Sequence, residues 1–164
     1  MVQNGLRILL IESNPLMADI TSYRLELLGY RVEVVATAAA LWGAIDYAIP
    51  QAIVLNLDSD DLDSFGLLEQ FASDMKTSEI PILVLSSGAD LDRVERAWQN
   101  GARDYLVTPF DPLALEQKVA RLLDGVEPDP DASVEDAELE VSILDAVPVL
   151  SADDDAASDL NWRI

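Results

Sequence analysis

Five residues of this 164-residue chain have types and positions suited to polar chemistry: Glu12, Ser13, Asn56, Ser86 and Thr108. Each lies at or just after the end of a short apolar run. Together they offer one carboxylate, one amide and three hydroxyls, a set that hydrogen-bonds well and attracts a hard cation only weakly. A loop crowded with aspartate follows Asn56, and Asp58, Asp60, Asp61 and Asp63 read first as solvated loop carboxylates. Glu12 and Asp58 are the weak candidates for a cation, and no metal or cofactor site is assigned. The chain contains no His and no Cys. Thiolate nucleophiles, imidazole acid–base catalysis, disulfides and thiolate or imidazole metal sites are thereby excluded. No nucleophile–base pair can be named, which argues against an enzyme.

Those residues are useful only if strands and helices bring them together. Residues 6–11, 31–35, 52–57, 81–86 and 105–108 are short apolar or β-branched runs with little alternation, as in strands buried on both faces. Between them lie helical patterns. Asn14-Pro15 caps and starts the first, with Leu16, Ile20, Tyr23 and Leu27 spaced to lie on one helical face and Gly29 at its end. The second, at about 38–48, is expected to bury Leu41, Trp42, Ile45 and Ile49. Ser64 is expected to cap the third. The fourth, about 89–99, turns Leu91, Val94 and Trp98 inward. Asp111-Pro112 opens the fifth, with Leu115, Val119 and Leu122 as its stripe. Five strands alternating with five helices predict an α/β fold with a parallel sheet covered on both faces. At this length the expected arrangement is flavodoxin-like and doubly wound, (βα)5, strand order 2-1-3-4-5. Ligands then gather at the carboxyl ends of strands 1 and 3, where the five polar residues lie.

Residues 1–125 carry 19 acidic and 9 basic residues, and residues 126–164 carry 12 and 1, within a total net charge of −21. The chain therefore divides into a domain at 1–125 and an acidic C-terminal tail at 126–164, read as flexible. Within the tail Trp162 is an aromatic candidate for an anchor, on the domain or on a partner. So acidic a chain repels phosphate backbones and anionic lipid heads, so no nucleic-acid or membrane partner is expected. There is neither an apolar run long enough to span a bilayer nor a secretory pattern at the N-terminus, which fits a cytoplasmic location.

Four blocks then point further: RILLIESNP, IVLNLDSDDLDSFGLL, PILVLSS and GARDYLVTPFDPLAL. In their order and in those elements, over residues 6–124, the chain resembles the receiver domains of response regulators, the CheY-like superfamily. The resemblance implies an acceptor Asp at the end of the third strand and an acidic pair after the first that holds Mg²⁺. It also implies a hydroxyl on the fourth strand and a Lys on the fifth that bind the phosphoryl oxygens. This sequence departs from most of that pattern. Asn56 stands at the acceptor position, Glu12-Ser13 at the acidic pair and Thr108 at the Lys; only Ser86 keeps the family's type. An amide is no carboxylate nucleophile, and bulky Leu57 disfavours deamidation of Asn56. Binding of Mg²⁺ is expected to be weak or absent. Tyr105 falls on the family's switch position, and Thr108-Pro109 on its usual cis bond.

The resemblance and its departures imply a degenerate phosphorylation site and a phosphorylation-independent pseudo-receiver. Such a module acts in two-component signalling by binding proteins, a histidine kinase or other signalling proteins among them, with a homodimer as a further option. The alternatives are a receiver phosphorylated at a non-standard residue, Asp58 or Ser86, and a small-ligand sensor. Ser86 and Thr108 are expected to hydrogen-bond each other or water.

Overall fold

The computed structural model describes residues 5–88 and 90–125. The tail at 126–164 and its anchor candidate Trp162 lie outside the described residues. The elements are β1 (Arg7–Ile11), α1 (Pro15–Leu27), β2 (Arg31–Val35), α2 (Ala38–Tyr47), β3 (Ala52–Asn56), α3 (Ser64–Ser73), β4 (Ile82–Ser86), α4 (Leu91–Gln99), β5 (Asp104–Val107) and α5 (Pro112–Leu123). The five strands pair in parallel in the order β2-β1-β3-β4-β5, the flavodoxin-like (βα)5 arrangement expected. Glycines follow the helices where the chain needs positive φ: Gly29 at 96° and Gly101 at 106°.

Strand alternation divides the core in two. Leu9, Ile11, Ile53, Leu55, Val84 and Val107 point to one face, where α2, α3 and α4 add Leu41, Ile45, Leu68, Phe71 and Val94. Ile8, Leu10, Val54, Leu83, Leu85 and Leu106 point to the other, against Leu25 of α1 and Leu115, Val119 and Leu122 of α5. Because both faces are covered, the central strands are buried without interruption, which is why they read as unbroken apolar runs.

The face of α1 made by Leu16, Ile20, Tyr23 and Leu27 is exposed, and the helix buries Ala18, Thr21 and Leu25 on its opposite side. The reason is steric: small Ala18 and Thr21 let the helix lie close on the sheet, whereas the larger stripe would hold it off. Four burial expectations are corrected: Ile49 and Leu91 are exposed, and Trp42 and Trp98 are only partly buried at the edge of the core. The cap of α3 is Asp63, which accepts from the Gly66 N–H, and Ser64 is the first residue of the helix. Its hydroxyl donates to the Asn56 carbonyl at 3.0 Å, tying α3 to the end of β3.

Candidate functional site

Parallel pairing brings the ends of β1, β3, β4 and β5 to one edge of the sheet. Glu12, Ser13, Asn56, Asp58, Ser87, Thr108 and Pro109 there line an open cleft of about 470 Å³. All five residues singled out by position converge on this edge. The Thr108-Pro109 bond is cis.

The cleft holds two hydrogen-bonded clusters. In the first, buried Glu12 accepts the Asn56 amide on Oε2 and the Asn14 N–H on Oε1, the latter at 3.0 Å. The Asn56 side-chain Oδ1 accepts the Asp58 N–H at 2.7 Å. Asn56 thus faces Glu12 as a donor. A carboxylate in its place would meet Glu12 as a second negative charge and require a cation between them. Ser13 shares a hydrogen bond with Ser59 at 2.9 Å. Mg²⁺ prefers a near-octahedral shell of oxygens strengthened by charge. In this cluster Glu12 is the one carboxylate, both its oxygens already accept from nitrogen, and the Ser13 hydroxyl is engaged. This donor set is a poor fit for the ion, and among the described residues no three His, Cys, Asp or Glu side chains are placed to hold a metal.

The second cluster centres on Asp58, which sequence reasoning treated mainly as a loop residue. Its Oδ2 accepts the Ser87 N–H at 2.7 Å, and its Oδ1 accepts the Ser86 hydroxyl at 3.1 Å and an Arg93 guanidinium N–H at 2.9 Å. Burial alone would raise the Asp58 pKa. Ser87, the Ser86 hydroxyl and the charge of Arg93 outweigh it and hold the carboxyl below the usual aspartate range. The Ser86 oxygen also accepts from Arg93 Nε at 2.8 Å and from the Gly88 N–H at 3.1 Å. Its one proton and both lone pairs are then in use. Ser86 and Thr108 are expected to bond each other or water; among the described residues their side chains do not pair, and Thr108 reaches Ser86 through its backbone N–H, at the Ser86 carbonyl, 2.9 Å away.

Arg93 was the residue missed. It sits in the first turn of α4, seven positions after Ser86, and no local pattern marks it out. Its route is prepared by Gly88, where an added Cβ would lie 2.9 Å from Arg93 Cδ. The Phe65 ring lies 5.7 Å from the guanidinium carbon of Arg93 and 3.9 Å from that of Arg96. Tyr105 is buried, and its hydroxyl donates to the Gly88 carbonyl at 2.5 Å. Burial raises its pKa, against the opposing influence of Ser86 and Arg93. On the far side of β5, Asp104 forms a buried ion pair with Lys118 of α5 at 3.3 Å, fixing the strand that carries Tyr105.

Comparison with known proteins follows the same outline. The family model of the response regulator receiver domain matches residues 8–120. The transcriptional regulatory protein QseB of Haemophilus influenzae is 34% identical over 117 residues, 71% of this chain and 51% of that protein. The DNA-binding dual master transcriptional regulator RpaA of Synechocystis sp. is 29% identical over 142 residues, 87% of this chain and 59% of that protein. This chain thus spans only part of the length of these relatives. Among solved structures, the receiver domain of a sensor histidine kinase from Pseudomonas aeruginosa, with magnesium coordinated in its active-site cleft, superposes with a TM-score of 0.67. It is 28% identical, over 73% of this chain and 98% of that one. The signal receiver domain of a histidine kinase from Syntrophus aciditrophicus gives a TM-score of 0.68 at 26% identity, over 76% and 95%. On strand order, on the converging strand ends and on these matches, the chain belongs to the response regulator receiver domain family.

Proposed function

We propose that this receiver works without phosphorylation at the family's acceptor position, as a protein-interaction module in two-component signalling. The observation that carries the reading is Asn56. The residue at the end of β3 is an amide that donates to Glu12, so the position offers neither a carboxylate nucleophile nor a cation site beside it. Neutral Thr108 at the Lys position and the fully engaged Ser86 hydroxyl support it. Weak or absent Mg²⁺ binding belongs to the same proposal.

Output would come through binding of another protein, a histidine kinase or other signalling protein, or a second copy of the chain. The α4–β5–α5 face exposes Leu91 and Leu113, while α1 exposes Leu16, Ile20, Tyr23 and Leu27 in one stripe. Such apolar exposure suits a partner surface. The acidic residues 126–164 would tune that binding. The DNA-binding description belongs to a relative of which this chain covers 59%. For the residues in hand, a net charge of −21 favours protein over nucleic acid. A cytoplasmic location accords with this role, and no helix among the described residues is long and apolar enough to cross a membrane.

One observation favours a second reading, phosphorylation at Asp58: its carboxylate stands beside Ser86 and Arg93, groups able to bind phosphoryl oxygens. The mass of the whole chain after incubation with acetyl phosphate and Mg²⁺ separates the two. No added phosphate is expected. A stoichiometric adduct would overturn the proposal, and its position would show whether Asp58 is the acceptor.

A further inference from the structure

We infer that the Ser86 hydroxyl, the Ser87 N–H and the Arg93 guanidinium form an oxyanion site that the chain fills with its own Asp58 carboxylate, holding the β4–α4 junction in one state without phosphate. The inference rests on the reading that no phosphoryl group forms at Asn56.

Three donors from separate segments converge on one carboxylate: the end of β4, the loop after it, and the first turn of α4. Their distances to Asp58 are 3.1, 2.7 and 2.9 Å. Arg93 brings positive charge to the strand ends, where Thr108 is neutral. It reaches there because Gly88 leaves its path open and Phe65 lies beside it. The same guanidinium donates to the Ser86 oxygen at 2.8 Å, so the cation and the hydroxyl are oriented by each other as well as by the anion. The consequence extends to Tyr105, whose hydroxyl holds the Gly88 carbonyl at 2.5 Å. Asp58 fixes the Ser87 N–H, Ser86 fixes the Gly88 N–H, and Tyr105 fixes the Gly88 carbonyl. Ser87 and Gly88, which follow β4, are therefore pinned at successive peptide groups around an anion the chain always carries.

A carboxylate and a phosphate present the same feature to such donors, several acceptor oxygens bearing negative charge. Removing the Asp58 carboxylate leaves three donors without their shared acceptor, and a small free oxyanion is the class of ligand that fits them. Asp60 and Asp61 also line the cleft, so binding by the opened site is expected to be weak, at millimolar concentration.

The test follows the Ser87 and Gly88 amides by hydrogen exchange and chemical shift in the whole chain, with no phosphodonor present. In Asp58→Ala the Ser87 amide is expected to exchange about tenfold faster or more, the loss of one charge-assisted hydrogen bond. Millimolar inorganic phosphate should restore slow exchange there, but not in the double variant Asp58→Ala with Arg93→Gln. Gly88→Ala, which crowds Arg93 while keeping its charge, should loosen the same amides as Arg93→Gln does. The Asp58 and Arg93 side chains are 31% and 29% exposed, so their truncation leaves no large cavity. Unchanged Ser87 exchange in Asp58→Ala, or no response of that variant to phosphate, would overturn the site. The acetyl phosphate experiment on the unaltered chain reports separately on the phosphorylation-independent reading: an adduct there sinks that reading, whereas unaltered exchange without an adduct sinks only the self-filled site.

Discussion

Asn56 and an aspartate have nearly the same shape, yet they organise this site in opposite ways. The amide brings a donor to Glu12 and satisfies a buried carboxylate without a metal. An anion stands two residues along, at Asp58, where Arg93 balances it. A pH dependence follows. Asp58 titrates below its ordinary value in the folded chain, so the folded state prefers it ionised. Its stabilising contribution is therefore complete above the unfolded pKa, about 3.9, and is lost as pH falls through the lower folded value. Urea titrations of the chain and of Asp58→Asn across the acid range should differ at neutral pH and converge as the medium becomes more acidic. A constant difference down to the lowest pH would mean that the carboxylate is not the group responsible.

At the scale of the element, α1 shows how a helix can carry two apolar readings. Leu16, Ile20, Tyr23 and Leu27 make the larger stripe, but Ala18, Thr21 and Leu25 make the one that faces the sheet. Leu25→Ala is expected to cost about 2–5 kcal/mol, as for other buried leucines. Ile20→Ser, on the exposed face, should change stability by no more than about 0.5 kcal/mol. Equilibrium urea unfolding of the two variants checks the assignment, and the reverse ranking would invert the helix. Partner capture by Ile20→Ser, measured beside its stability, then separates a docking role for the stripe from a packing one.

Across the whole molecule, charge is unevenly spread. Residues 126–164 bring 12 acidic residues against one basic, while the described members of the two core clusters end at Val107 in one and at Leu123 in the other. Removing residues 126–164 should leave cooperative thermal unfolding intact, because no described side chain of either cluster is lost. A broad, non-cooperative melt of the truncated chain would show that the tail belongs to the folded core. The Asp104–Lys118 pair, with both partners buried, lies within the retained part and keeps β5 and α5 together in it.

Much of this was legible in the sequence. Unbroken apolar runs specified a sheet covered on both faces, and the caps at Asn14 and Asp111 marked two helix starts that the structure keeps. The spacing of the polar residues placed Glu12, Ser13, Asn56, Ser86 and Thr108 at neighbouring strand ends, since strand order alone makes such positions converge. Which face of α1 is buried could not be read from periodicity, because both stripes have helical spacing and only the closeness of helix to sheet selects the one with the small residues. Arg93 was hidden for a different reason. Its partners lie 35 residues away at Asp58 and seven away at Ser86, and a long side chain's direction is set by the space its neighbours leave. Local sequence determined the elements and the chemistry missing from the site. Only tertiary packing decided which charged groups would take its place, because that choice depends on distances between segments that the order of residues does not contain.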